Sequence, residues 1–323
     1  MNLNIKKLVV TLLPILFGVG IIWYFLEQLT PEDKQAIAAS FRSANYWWVA
    51  LSLVFGILSH FSRAYRWQFL LKPLGYESRF MNNFMTVLMA YLVNLALPRA
   101  GDVARGTAIS KYEKIPFEKA IGTIVAERIA DVILLFFIIG IAFISQAELI
   151  ENYLFKEDAN PSMSILILAI LGLIGLVVYR AIQRAQHGFL FKVKNFVNGL
   201  IEGALSIVKM KNKWAFIFHT VFIWAMYIAM FYACTFALPE TSNLSFSAVI
   251  VAFVVGGLSM ALTNGGLGTY PIFVASALVL YGVSENPANA FGWIMWTAQT
   301  LMIVLFGGIS MIALPIYNRN NKE

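Results

Sequence analysis

Six long apolar runs decide what this chain can become. They are Leu8–Leu26, Tyr46–Phe61 (with an apolar continuation toward Leu71), Ile121–Ser145, Met163–Tyr179, Trp214–Leu238 and Phe291–Tyr317. A helix of about 20 apolar residues crosses the hydrocarbon core of a bilayer. A soluble domain is about 45–50% apolar and about 25% charged. This chain of 323 residues is 59% hydrophobic and 13% charged, with mean hydropathy +0.73. Backbone groups in lipid must be satisfied within the segment, as a helix does. An all-α polytopic membrane protein follows. Leu8–Leu26 stands behind Lys6 and Lys7 as a signal peptide would. It is too long for an h-region and lacks a small-residue cleavage site, so a retained helix is expected.

Two further apolar stretches are interrupted. Phe80–Leu97 runs into Pro98-Arg-Ala-Gly101, with Asn94 one turn earlier. Phe246–Leu262 runs into Thr263-Asn264-Gly265-Gly266-Leu-Gly268 and resumes as Tyr270–Tyr281. Glycine frees the backbone and proline removes a donor, so both breaks are expected to end helices. The distribution of Lys and Arg tests whether these stretches cross. If each is a hairpin returning to its side of entry, and the N-terminus is cytoplasmic, segments 1–7, 63–120, 180–213 and 318–323 lie inside. These hold 20 of the 24 basic residues, and the outer loops hold only Lys34, Arg42 and Lys156. A full crossing at Phe80–Leu97 would put the basic stretch Arg180–Lys213 outside. The cytoplasmic excess of Lys and Arg favours two hairpins.

The expected architecture is six full spans plus two re-entrant helical hairpins in a single domain covering 1–323. Its halves, 1–145 and 163–317, have the same element order and opposite orientation, an inverted repeat joined by an acidic outer loop, 146–162. Paired interrupted segments in inverted halves point to a transport site near the midplane. Residues 187–213 place apolar side chains on a helical period among Lys192, Lys194, Lys209 and Lys211. An amphipathic cytoplasmic helix is expected there, lying on lipid or covering the protein's own helices. Both termini are then cytoplasmic, in a multi-pass protein of the cell membrane. The net charge of +7 follows from the basic inner loops, and no nucleic-acid partner is implied.

Charge inside the apolar frame is concentrated. Arg99, Asp102 and Arg105 follow the first break, and Glu127, Arg128 and Asp131 follow about twenty residues later. A charge at the bilayer centre costs about 3 kcal/mol on insertion scales. A chain that keeps six must pair them, hydrate them or use them. Guanidinium forks match phosphate oxygens bidentately. Asp102 is placed to cap a helix beginning near Val103. Glu127 and Asp131, four apart, share a helical face. The cluster reads either as a lipid-phosphate site, with Arg99 and Arg105 facing Glu127, Arg128 and Asp131, or as charges that neutralise one another and hold the hairpin. The Gly265-Gly266-Leu-Gly268 turn reads more simply as a helix break than as an anion cradle. Trp293 and Trp296 read as lipid-facing, His60 and Arg63 as interface residues. Cys234 is the single cysteine, and no metal spacing, GxSxG or Walker motif occurs, so no cofactor is expected.

At Leu97-Pro-Arg-Ala-Gly-Asp-Val-Ala-Arg105, Ala126-Glu-Arg-Ile-Ala-Asp131 and Gly265-Gly-Leu-Gly268 the chain resembles the lysylphosphatidylglycerol synthase transmembrane (flippase-like) family. That family includes the N-terminal membrane domain of multiple peptide resistance factors. The resemblance implies an eight-element membrane domain with two re-entrant hairpins that moves lipid between leaflets. It matches Arg99, Asp102 and Arg105 to the first motif, Glu127, Arg128 and Asp131 to the second, and Gly265, Gly266 and Gly268 to the third. The family often has Pro before the Gly-Gly pair and Arg-Glu after the last Gly, where this chain has Asn264 and Tyr270-Pro271. The chain stops soon after its last apolar run, so the aminoacyl-transferase domain of fused members is expected to be absent.

Three functions compete. The first is a transporter moving an anionic, phosphate-bearing lipid or glycolipid between leaflets. The second is a non-catalytic membrane partner of a separate lipid-modifying enzyme. The third is a headgroup transferase using Glu127 or Asp131 as acid or base. No nucleophile stands out for the third, and the transporter reading leads.

Overall fold

The computed structural model describes residues 29–97, 99–146, 209–260 and 262–319, with a few isolated positions outside these ranges. The expected spans Leu8–Leu26 and Met163–Tyr179, the loop 146–162 and nearly all of the helix 187–213 lie outside them, as does Pro98. No strand occurs among the described residues. The chain forms two compact units, Met1–Glu127 with Trp214–Glu323, and Arg128–Lys213. Within the first unit, and running on from it, the helices are α1 (Pro31–Ser43), α2 (Tyr46–Arg66), α3 (Phe80–Ala96), α4 (Ala100–Glu113), α5 (Phe117–Ile144), α6 (Lys213–Thr235), α7 (Phe246–Ser259), α8 (Thr269–Leu280) and α9 (Glu285–Tyr317).

Helices α6 and α9 are each long and apolar enough to cross a membrane. Helix α2 continues past Phe61 to Arg66, along the apolar continuation toward Leu71, and carries two arginines into the protein. Helix α9 begins at Glu285, six residues before the apolar run, because Ser284 and Glu285 suit a helix start. The shorter α3, α7 and α8 have 17, 14 and 12 residues.

Helices α3 and α4 form an antiparallel pair. Arg79, just before α3, donates from Nε to Glu113 Oε1 at the end of α4 (3.0 Å), and Asn82 Nδ2 donates to the same oxygen. At the closed end Gly101 sits so near Ala90 that a Cβ would lie 2.1 Å from its carbonyl oxygen. Helices α7 and α8 form a second antiparallel pair. Gly256 faces Tyr270 and Val274, and Thr269 Oγ1 donates to Ser259 O across the turn (3.0 Å).

Helix α9 orders both pairs. At about 1.5 Å per residue its 33 residues extend about 50 Å. Just past its C-terminal end Asn318 exchanges hydrogen bonds with Asn82 at the start of α3 (3.0 and 2.8 Å). One third of the way back, Gly307 lets the backbone at Leu88 approach, a Cβ there lying 2.9 Å from Leu88 O. Further on, Trp296 Nε1 donates to Gly265 O in the α7–α8 turn (2.9 Å). Gly292 meets Pro271 at the start of α8. Helix α3 therefore lies along the C-terminal half of α9 and α8 along its N-terminal half. Their closed ends meet where Leu95 touches Gly265. The open ends of the two pairs point in opposite directions along α9.

Candidate functional site: a buried charge cluster beside two helix breaks

The first break is built from one side chain and one unusual backbone. Asn94 Oδ1 accepts the Gly101 amide (2.8 Å), closing the turn. Arg99 occupies the left-handed region at φ 60°, which is uncommon outside glycine, and stands exposed at the entry to α4. Helix α4 begins at Ala100, so Asp102 is its third residue and not its cap. The expectation of a cap near Val103 is corrected: the Arg99 conformation starts the helix three residues sooner. Asp102 still adds negative charge to the amide-rich first turn.

Arg105, one turn further, points into the protein and is 2% exposed. Its Nη1 donates to Glu127 Oε2 at 2.6 Å. Arg66 Nε reaches the other oxygen, Oε1, at 3.4 Å, and Arg66 Nη1 donates to Thr220 Oγ1 at 2.8 Å. Two guanidinium groups thus converge on one carboxylate, and all three side chains are buried. Trp67 closes the cluster: Arg105 Cζ lies 3.7 Å from its ring centroid, and its Nε1 donates to Thr123 Oγ1 (2.8 Å). Arg66 also lies over Phe216, 5.1 Å from the ring centroid. A desolvated cation over an aromatic face is stabilised by about 2 kcal/mol. Helices α2, α4, α5 and α6 each supply part of this cluster.

Arg128 and Asp131 belong to the second unit. There Arg128 Nη1 and Asp131 Oδ2 approach to 3.8 Å, three residues apart on α5.

The second break holds no charged side chain. Gly265, Gly266 and Gly268 adopt φ of 61°, 76° and 74°, and Asn264 opens a short 3-10 turn. Thr263 Oγ1 donates to Leu267 O and lies 3.0 Å from Thr269 Oγ1, so two hydroxyls satisfy the opened backbone.

Three readings of single residues are corrected. Trp296 anchors the second break through its indole N–H. His60 and Arg63 are each 3% exposed, because α2 continues past them and packs them against its neighbours. Arg66, Trp67, Thr123 and Thr220 escaped sequence reasoning. Their one signal was that Arg63 and Arg66 stand one turn apart in a run that continues apolar to Leu71. Among the described residues no group of His, Cys, Asp and Glu is arranged to hold a metal.

The family model described as the lysylphosphatidylglycerol synthase TM region matches residues 11–308. The UPF0104 membrane protein MJ1595 of Methanocaldococcus jannaschii is 23% identical over 300 residues, covering 84% of this chain and 85% of that protein. No solved structure matches the chain. The family match spans both helix breaks, the buried cluster and most of α9, so the chain belongs to the lysylphosphatidylglycerol synthase transmembrane-region family.

Proposed function

We propose that this membrane protein moves an anionic, phosphate-bearing lipid between leaflets. The observation that carries the reading is the meeting of two oppositely directed broken helical pairs at Leu95 and Gly265, midway along an apolar helix of spanning length. Broken helices with irregular backbone occur at membrane depth where they are buried in protein or line a cavity. In transporters, paired breaks mark the place where substrate crosses. In this reading α3–α4 and α7–α8 are re-entrant hairpins entering from the cytoplasmic and outer faces, and the halves form an inverted repeat. Both termini are cytoplasmic.

The charged residues divide the work. Exposed Arg99, with Asp102 in the first turn of α4, meets the headgroup at the tip. Arg105 and Glu127 form the charged wall behind it. The glycine turn supplies close backbone approach. A gradient, the membrane potential or downhill equilibration drives the movement.

The test is leaflet-resolved transport in proteoliposomes loaded with fluorescent phosphatidylglycerol or phosphatidylcholine. The expected result is movement of phosphatidylglycerol in preference to phosphatidylcholine, reduced at least tenfold by Arg99→Ala in protein that elutes normally. Folded wild-type protein that moves neither probe nor any lipid of a native extract would overturn the reading. In that event the chain serves as the membrane partner of a separate enzyme.

A further inference from the structure

A second polar group lies between α2, α3 and α6, apart from the Arg66–Glu127–Arg105 cluster, with His60 and Arg63 buried and Tyr91, Tyr227 and Trp224 half-buried. Arg63 Nη2 donates to Tyr227 OH (3.4 Å), and Tyr227 OH lies 3.0 Å from Tyr91 OH. The His60 ring lies over Tyr91 with centroids 4.5 Å apart, and 6.4 Å from Tyr227. Trp224 packs edge-on against Tyr227, with ring centroids 6.1 Å apart. Two atoms here meet no hydrogen-bond partner among the described residues: His60 Nδ1 and Trp224 Nε1. His60 is 97% buried, so water does not reach its ring from the surface. An unmet polar atom at such a place forfeits its hydration with nothing to replace it. Packing alone gives no reason to keep two of them around one tyrosine.

The chemistry of the group selects its ligand. Arg63 and Trp224 offer only donors, and the Tyr227 hydroxyl accepts from Arg63 while its ring packs against Trp224. An indole N–H with no acceptor calls for an oxygen acceptor, and a neighbouring guanidinium favours an anionic one. Neutral imidazole brings one further donor or acceptor, suited to a hydroxyl or ester oxygen beside the anion. We propose that His60, Arg63, Tyr227 and Trp224 form a binding site for a phosphoryl group carrying an adjacent hydroxyl or ester oxygen. The site deepens the transport reading and rests on it: a lipid phosphate would occupy it at a stage separate from the tip at Arg99.

Equilibrium binding tests this without requiring transport. The full chain in detergent is titrated with phosphatidylglycerol and with diacylglycerol of the same acyl chains, and bound lipid is counted by native mass spectrometry. Wild type is expected to prefer phosphatidylglycerol by at least tenfold. Trp224→Phe deletes one N–H and His60→Phe keeps a stacking ring. Each is expected to weaken phosphatidylglycerol about tenfold while leaving diacylglycerol unchanged, the size of one lost hydrogen bond to a charged group. Either variant suffices if the other fails to fold. Displacement by inorganic phosphate would identify the source as free phosphate, and its failure to displace would identify the lipid headgroup. Wild-type phosphatidylglycerol affinity in a folded variant overturns the site. Wild-type transport together with wild-type phosphatidylglycerol affinity in the folded variants defeats this site alone. Selective binding without transport defeats the transport reading alone.

Discussion

The two broken helical pairs solve one problem with different chemistry. At the α3–α4 turn a side chain does the closing: Asn94 takes the Gly101 amide, and a non-glycine residue, Arg99, is held in the left-handed region. At the α7–α8 turn the backbone does it, through three glycines at positive φ and the hydroxyls of Thr263 and Thr269. Charge follows the same division. Arg99, Asp102 and Arg105 belong to the first pair, and the second has no ionisable residue between Phe246 and Leu280 except Tyr270. The first pair is built to interact electrostatically and the second to fit closely. In the transport reading we propose, a polar substrate is recognised on one side of the meeting point and shaped by the other.

The largest expected effect comes from breaking the charge of the first side. Glu127→Gln leaves Arg66 and Arg105 facing a neutral amide in a buried place. Losing one partner of a buried pair costs about 3–5 kcal/mol. Thermal unfolding in detergent should show this as the deepest loss of stability among these variants.

Next come the glycines at the two closed ends, which sharpen the contrast. In Gly101→Ala the new Cβ would lie 2.1 Å from Ala90 O, a backbone atom that cannot step aside. In Gly265→Ala it would lie 2.4 Å from Leu95 Cδ2, the end of a flexible side chain. Overpacking costs about 1–3 kcal/mol. Adding Leu95→Ala should recover part of the loss at Gly265, leaving the strain of its φ of 61°, and should recover nothing at Gly101. Equal rescue of both in unfolding measurements would erase the distinction between the two turns.

A smaller effect is expected at Asn94. Asn94→Ala removes the acceptor of the Gly101 amide and should cost about 1 kcal/mol, read as a lower unfolding midpoint. Thr263→Val, at the second break, tests the hydroxyl equivalent and should fall in the same range.

The smallest effect is expected at Asp33, in the first turn of α1. Asp33 accepts from Thr30 N and Oγ1 and from Asn286 Nδ2, joining α1 to the start of α9. The Thr30 hydroxyl foremost, then Asn286, holds its carboxyl below the ordinary 3.8. A carboxylate with a depressed folded pKa adds stability above its unfolded pKa and loses it as pH falls through the folded value. The difference in unfolding midpoint between wild type and Asp33→Asn should therefore hold at neutral pH and vanish in acid below 3.8.

The helix content and both breaks were legible because they are local. Glycine and proline end helices wherever they stand, and Asn94 is conspicuous in an apolar run. The one helix-start error was local too: Arg99 in a left-handed conformation starts α4 three residues before the expected start near Val103, whereas α2 follows the apolar continuation toward Leu71 as far as Arg66. What stayed hidden depends on partners far along the chain. Arg66 finds Glu127 61 residues away and Thr220 154 residues away, and Asn82 finds Asn318 across 236. No spacing rule connects such positions. Trp296 illustrates the same limit: on a helix face it reads as lipid-facing, and only the glycine turn beside it explains its N–H.

The central claim is that the two pairs enter the membrane from opposite faces. Two-sided cysteine labelling in whole cells tests it most directly, in a Cys234→Ala background. Lys111→Cys lies at the open end of the first pair and Ser284→Cys just beyond the open end of the second, both at exposed positions. A membrane-impermeant maleimide is predicted to label Ser284→Cys in intact cells, and Lys111→Cys only after the membrane is opened. Labelling of both variants from outside would contradict the opposed arrangement, and the crossing built on it.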